Sequence, residues 1–329
     1  MRILFLRRQR FGGVATLTDL LSDALDSEGV EAVVDDAEDW IPDETGPRTD
    51  RKVGKVLRAA CRGFDLVHAF GYRTAWACGA TFHADRPWVY TAHDMPRTVH
   101  PRLIERLNVA HAGVCSSDAC MAALGEAKAL RLCVVRPGVP ANRRRMDREE
   151  SRAMLGVQPG EFLLAAAGRF VPEHALRPLV QAVGALPEHV RLIVSGKGPE
   201  EEALREAAGP RVEITTEPFA QQGALAAADL AVVPSVTAGF SFSAVEAMYQ
   251  GVPALMRRTG GLPEVAEDDE TGFYFETDEE MLDVLGHLCH KPEAVRAVGE
   301  AARERVLARF DLARAAKEYA EVYGNVAKA

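Results

Sequence analysis

Val233-Pro234-Ser235-Val236-Thr237-Ala238-Gly239-Phe240-Ser241-Phe242-Ser243-Ala244-Val245-Glu246-Ala247-Met248 is the stretch on which the fold turns. A short apolar run, Leu230–Val233, has the length and β-branching of a buried strand. A glycine-containing loop follows it, and then an apolar helical segment that carries one acid, Glu246. A carboxylate on such a segment must find hydrogen-bond donors or stay costly. Ribose hydroxyls would serve, as they do in dinucleotide sites. The pattern runs on through Gly251-Val252-Pro253, Thr259-Gly260-Gly261-Leu262-Pro263-Glu264-Val265 and Thr271-Gly272-Phe273.

Outward from this block the same unit recurs. Residues 162–166, 190–194, 212–214 and 254–256 read as further strands of the second half. In the first half 3–6, 32–34, 66–69, 88–92, 114–115 and 132–135 do so. Amphipathic helices lie between several of them, such as Val14–Leu25 and Lys52–Cys61. Strands alternating with helices imply parallel sheets covered by helices, an α/β chain in two successive units. Pro137, Gly138 and Pro140 open a polar, arginine-bearing stretch (Asn142 to Arg152) that reads as the linker. The last forty or so residues are helical in period, with Phe310, Ala313, Ala316, Tyr319, Val322 and Tyr323 on one face.

Composition sets outer limits. With 329 residues, 47% hydrophobic and 26% charged, the chain is long enough for about two domains and is neither fibrous nor disordered. No apolar run approaches the ~20 residues of a membrane span, and no secretory signal is read at Met1. A net charge of −9 argues against nucleic acid as a partner. The six cysteines form no C-x-x-C pair, so reduced structural thiols in the cytoplasm are expected. His287, Cys289 and His290 stand near a helix end without a convincing ligand set, and no metal site is expected.

Open parallel sheets bind ligands beyond the carboxyl ends of their strands. There, Arg7-Arg8-Gln9-Arg10-Phe11-Gly12-Gly13 precedes a helix, and a glycine pair at a helix start suits an anion, though a plain turn explains it as well. His93, in Thr91-Ala92-His93-Asp94, follows a strand and would point into the crevice, or else be a structural histidine. His68 has the same two readings. Arg169, in Gly168-Arg169-Phe170-Val171-Pro172-Glu173-His174, faces a helix start and suits a diphosphate, with a surface ion pair as the other reading. The Arg143-Arg144-Arg145 run reads as a solvated linker face or, alternatively, a membrane-attracted patch. The basic helix Lys52–Arg62 is compatible with lipid-linked acceptors.

Taken with Phe64-Asp65-Leu66-Val67-His68 and Ser195-Gly196-Lys197-Gly198-Pro199, these motifs resemble family 4 of the glycosyltransferases along essentially the whole chain. The resemblance implies a GT-B fold: two Rossmann-like domains whose parallel sheets face across a cleft. Residues 1–145 would form the acceptor-side domain, 146–309 the nucleotide-sugar domain, and 310–329 a helix returning to the first. It implies a retaining, metal-independent transfer of a sugar from a nucleoside diphosphate sugar to an acceptor hydroxyl, the acceptor being a glycan, a lipid-linked molecule or a small molecule. The nucleotide sugar would be a co-substrate, with no resident cofactor. By position, Glu246 would hold the ribose, Gly239, Phe240 and Ser241 would meet the donor, and Arg169 and His174 would face the diphosphate. Gly12 and Gly13 would lie near the phosphates and His93 near the transferred sugar.

Two departures stand out. The family's paired glutamates are eight positions apart, and here the first is Ala238. Its lysine, five residues after the arginine, is His174, followed by Ala175 in place of glycine. A scaffold that binds nucleotide sugars without transferring them is therefore the alternative. For an active enzyme, one of Arg7, Arg8 or Arg10 would swing over the phosphates to supply the missing charge.

Overall fold

The computed structural model describes residues 1–8, 10–42, 44–82, 86–93, 101–125, 130–142 and 144–328. Gln9, Asp94 and Arg143, singled out above, lie outside the described residues. The chain divides into two compact units, Met1–Pro140 with Asp311–Ala329, and Ala141–Phe310.

In the first unit strands and helices alternate as β1 (Arg2–Arg7), α1 (Gly13–Leu25), β2 (Glu31–Asp36), α2 (Pro47–Ala60), β3 (Leu66–Phe70) and α3 (Tyr72–Thr81). The order continues with β4 (Trp88–Ala92), α4 (Pro101–Leu107), β5 (Ala112–Cys115), α5 (Asp118–Ala123) and β6 (Leu132–Val134). The second unit holds α6 (Arg148–Met154), β7 (Phe162–Ala167), α7 (Leu176–Ala182), β8 (Val190–Ser195), α8 (Glu201–Ala207) and β9 (Val212–Thr215). It goes on through α9 (Pro218–Ala227), β10 (Leu230–Val233), α10 (Phe242–Tyr249), β11 (Ala254–Arg257) and β12 (Phe273–Phe275). Two helices, α11 (Asp278–Leu288) and α12 (Pro292–Arg309), complete it, and α13 (Leu312–Ala327) belongs to the first unit.

Each unit is built on a six-stranded sheet, ordered β2-β1-β3-β4-β5-β6 in the first and β12-β11-β10-β7-β8-β9 in the second. The strand pairs are parallel. The winding direction reverses between β1 and β3 in one sheet and between β7 and β10 in the other. At such switch points adjacent loops diverge and leave a crevice for a ligand.

Buried residues on β1, β3, β4 and β5 cover both sheet faces of the first unit, as expected of strands packed between helices. One face packs against α1 and α13, where Phe5, Leu21 and Leu25 meet Ala315, Ala316, Tyr319, Tyr323 and Val326. This stripe keeps Ala316, Tyr319 and Tyr323 of the predicted face, with Val322 packed beside them, and leaves out its first two residues. Phe310 ends α12 and packs its ring on Phe240 in the second unit, at 5.5 Å between centroids, while Ala313 is exposed. Asp311 then caps a new helix by accepting from the Ala313 and Arg314 amides.

The polar stretch after Pro140 is more structured than a linker. Residues 141–145 fall in the second unit, where Tyr249 donates to the Ala141 carbonyl at 3.4 Å and Arg145 donates to that of Gln250. Asp147 caps α6, whose Arg148 and Arg152 both reach Asp229, at 2.6 and 3.1 Å. Asp229 also accepts from the Leu163 amide at 2.8 Å, so one nearly buried carboxylate ties α6 to the start of β7. Arg144 is exposed, as a solvated face requires.

Candidate functional site

At the β7/β10 switch point three strand-end loops are knitted by backbone hydrogen bonds. The Val236 amide donates to the Glu173 carbonyl at 2.9 Å, which joins the loop after β10 to the loop after β7. The Gly261 amide donates to Ala238 at 3.0 Å and the Thr259 hydroxyl to Val236 at 3.3 Å, bringing in the loop after β11. Arg257 braces the same segment by donating from Nε to the Pro234 carbonyl at 3.0 Å.

Arg169 and His174 belong to this assembly. Arg169 follows the last residues of β7, and His174 ends a single 3-10 turn, Pro172–His174. The imidazole folds back onto Gly168, where a Cβ would lie only 2.9 Å from Nδ1. Ala175, which follows, adopts the left-handed conformation (φ 47°, ψ 41°). The turn has thus kept a glycine-type backbone while carrying a side chain, at a cost of about 1–2 kcal/mol.

The loop after β8 completes the rim. The Gly168 amide donates to Ser195 at 3.0 Å and the Phe170 amide to Lys197 at 2.9 Å. The two segments approach so closely that a Cβ at Gly196 would fall 1.7 Å from the Gly168 carbonyl oxygen. This approach sets exposed Lys197 on the segment paired with the Arg169–Phe170 backbone. Along the chain Lys197 is one residue of Ser195-Gly196-Lys197-Gly198-Pro199 with nothing to single it out. The signal that finds it is β8 lying next to β7 in the sheet, which is a tertiary fact.

Beyond β10 the loop enters α10, with Gly239 buried and Phe240 half-buried. Ser241 is the cap of α10, accepting from the Ala244 amide at 3.1 Å and lying 3.2 Å from the Ser243 hydroxyl. Glu246 lies inside α10 and is 7% exposed. Ala238, at the position of the other expected carboxylate, is buried.

In the first unit Gly12 precedes α1 with φ 93°, a conformation that excludes most side chains, and Gly13 opens the helix. His93 directly follows β4, is 7% exposed, and stacks on Phe70 at 5.6 Å with the rings 11° apart. Phe70 in turn stacks on His68 at 3.9 Å. His68 itself is fully buried within β3: Nδ1 lies 2.7 Å from the Tyr323 hydroxyl and Nε2 2.6 Å from that of Thr91. Burial, reinforced by His93, pushes the His68 imidazole well below its usual pKa. Of its two readings, the structural one holds.

The proposed arginine swing meets an obstacle at Arg7. Its side chain is buried and bonded to Asp36 and Asp19, each at 2.6 Å, and to the Ala15 carbonyl at 2.7 Å. Moving it would give up both ion pairs and the buried bond to Ala15 at once, so Arg7 is a structural residue. Arg8 donates to the Ile41 carbonyl at 2.9 Å, and half-exposed Arg10 pairs with Asp39 at 2.6 Å.

A family model described as "Glycosyl transferases group 1" matches residues 161–291, which contain all four loops of the second unit's rim. D-inositol 3-phosphate glycosyltransferase of Xylanimonas cellulosilytica is 30% identical over 320 residues, covering 83% of this chain and 76% of that protein. The protein of that name from Nocardia farcinica is 30% identical over 298 residues, covering 79% of this chain; the chain spans 66% of the relative's length. Among solved structures, Anabaena HepE in complex with UDP and glucose superposes with a TM-score of 0.82 at 21% identity, covering 99% of this chain and all of that one. Likeness of that extent at that identity establishes the fold, two parallel-sheet α/β units of the GT-B class. With the Xylanimonas relative matched along three quarters of its length, the chain belongs to the group 1 glycosyltransferases.

Proposed function

We propose that the protein is a retaining glycosyltransferase that moves a sugar from a nucleoside diphosphate sugar to an acceptor hydroxyl. One observation carries the reading: the loops after β7, β8, β10 and β11 are hydrogen-bonded into one rim at a switch point, with Arg169, His174 and Lys197 on it and buried Glu246 behind it. A diphosphate leaving group needs positive charge held in place before it departs, and losing one such donor costs about 3–4 kcal/mol of transition-state stabilisation. Arg169 and Lys197 bring a guanidinium and an ammonium to the rim, whereas an imidazole's ordinary pKa of about 6.5 makes it a weaker source of positive charge at pH 7. Lys197 therefore supplies the charge that the locked Arg7 cannot. Glu246 would accept from the ribose hydroxyls, and the backbone at Gly239 and Phe240 would meet the sugar.

Retention and independence of metal come from the family resemblance. The acceptor attacks on the face from which the diphosphate leaves, and the departing phosphate oxygen takes its proton, so no protein nucleophile is needed. From the first unit, Gly12 and Gly13 would lie near the phosphates and His93 near the transferred sugar. Exposed Arg48, Arg51, Lys52 and Lys55 on α2 favour acceptors with an anionic head, lipid-linked ones at a membrane surface included. The relatives' D-inositol 3-phosphate has that chemistry and heads the acceptor panel. Among the described residues no helix is long and apolar enough to cross a membrane. The six cysteines are free thiols, in keeping with the reducing cytoplasm as the proposed location.

Calorimetric titration of UDP, the nucleotide held by HepE, into native protein and Glu246→Gln tests the donor side. Loss of a charge-assisted bond predicts about 10–100-fold weaker binding with the thermal midpoint kept. Equal affinity removes Glu246 from the site. If UDP-glucose turns over, an inverted anomeric configuration in the product would rule out retention.

A further inference from the structure

We propose that His189, Cys289 and His290 form a binding site for one zinc-class divalent cation on the second unit, away from the donor rim. Read along the chain, Cys289 and His290 lacked a ligand set. The missing member, His189, stands 100 residues earlier in the loop leading into β8. The fold brings one ligand atom from each of the three within 4.8 Å of one another. Zinc bonds of about 2.3 Å to sulfur and 2.0–2.1 Å to nitrogen place tetrahedral ligand atoms roughly 3.3–3.7 Å apart. Closing the difference takes about one ångström, within reach of side-chain rotation at exposed His290.

The surroundings suit a cation. His189 is pinned through its backbone, whose carbonyl accepts from the Phe162 amide at 2.9 Å, and its Nε2 lies 3.3 Å from the Cys289 carbonyl oxygen. Cys289 closes the C-terminus of α11, at the negative end of the helix dipole. Lys291, next along the chain, has its ammonium 2.9 Å from Nε2 of His287, outside the triad. Two imidazoles and one thiolate are the donor set of a borderline-soft ion, and the exposed side of His290 leaves the fourth position to water.

The Cys289 thiol donates to the Gly286 carbonyl at 3.3 Å. Binding breaks the S–H bond, forms a metal–sulfur bond and delivers the proton to solvent. The ion would then join the loop before β8 to the α11–α12 turn, a cross-link spanning 100 residues, and stabilise the second unit.

The test uses the full-length, untagged protein stripped with chelator and titrated with cobalt(II) and then zinc. One equivalent of cobalt should produce a thiolate-to-cobalt charge-transfer band that zinc abolishes. A saturating excess of zinc should raise the thermal midpoint by about 3–8 °C. Cys289→Ser should lose the band, and His290→Ala, at an exposed position, should bind at least about tenfold more weakly with an unchanged fold. The proposal is overturned if native protein shows no band, if the band survives in Cys289→Ser, or if His290→Ala keeps full affinity.

Discussion

Replacing His68 by glutamine should flatten the acid side of the first unit's stability profile. His68 is fully buried between Phe5, Phe70, Tyr319 and Tyr323, with both ring nitrogens bonded, one to Tyr323 on α13 and one to Thr91 on β4. Burial first, and then His93, holds its pKa well below the ordinary value of 6.5. The folded-state value lies beneath the unfolded one, so below pH 6.5 the unfolded chain binds more protons. Stability from this group is complete above pH 6.5 and falls as the pH drops. One unit lower, at pH 5.5, the loss is about 1.4 kcal/mol. The protein's three tryptophans, Trp40, Trp76 and Trp88, all lie in the first unit, so their fluorescence in urea reports on it alone. Between pH 7.5 and 5.5 the native protein should lose about 1.4 kcal/mol more than His68→Gln, contributions shared by both proteins cancelling in the difference. Tyr323→Phe keeps the imidazole and should keep the slope, while costing about 1–3 kcal/mol at both pH values. Equal slopes in native protein and His68→Gln would refute the burial argument.

Two further substitutions follow from the backbone and from Arg7. Ala175→Gly relieves a left-handed alanine, a gain only partly offset by glycine's greater freedom when unfolded, so the thermal midpoint should rise with a net stabilisation of about 0.5–1 kcal/mol. A lower midpoint would mean that the alanine side chain packs better than its φ costs. Arg7→Met removes a buried guanidinium from Asp36 and Asp19, which stay partly solvated, and should cost the first unit about 2–3 kcal/mol in urea. UDP affinity should be unchanged, and a large loss of affinity would return Arg7 to the phosphates.

Eleven of the twelve described strands are legible as short apolar, β-branched runs. The twelfth, Phe273–Phe275, is three residues long at a sheet edge and read only as the end of a loop. Three residues show no period. The stretch after Asn142 reads as a linker because the alternation breaks there behind Pro137, Gly138 and Pro140. The partner of Arg148 and Arg152, Asp229, lies about eighty residues on, so α6 looks polar along the chain and is anchored in space. The period places Ala316, Tyr319, Val322 and Tyr323 on the packed side of the terminal helix and errs only at Phe310 and Ala313, because the chain bends at Asp311 and the apolar stripe restarts at Leu312.

The sequence alone determined the parallel α/β class, the strand-end loops and the residue types on them. Period and turn chemistry act over a few residues, so they survive in the order of the letters. Tertiary structure decided which histidine is structural, which arginine is locked, and that Lys197 belongs to the rim beside Arg169. It alone brought His189 to Cys289. A side chain's burial and partners depend on segments that meet only after long loops close, 255 residues apart for His68 and Tyr323, and no local pattern encodes such a meeting.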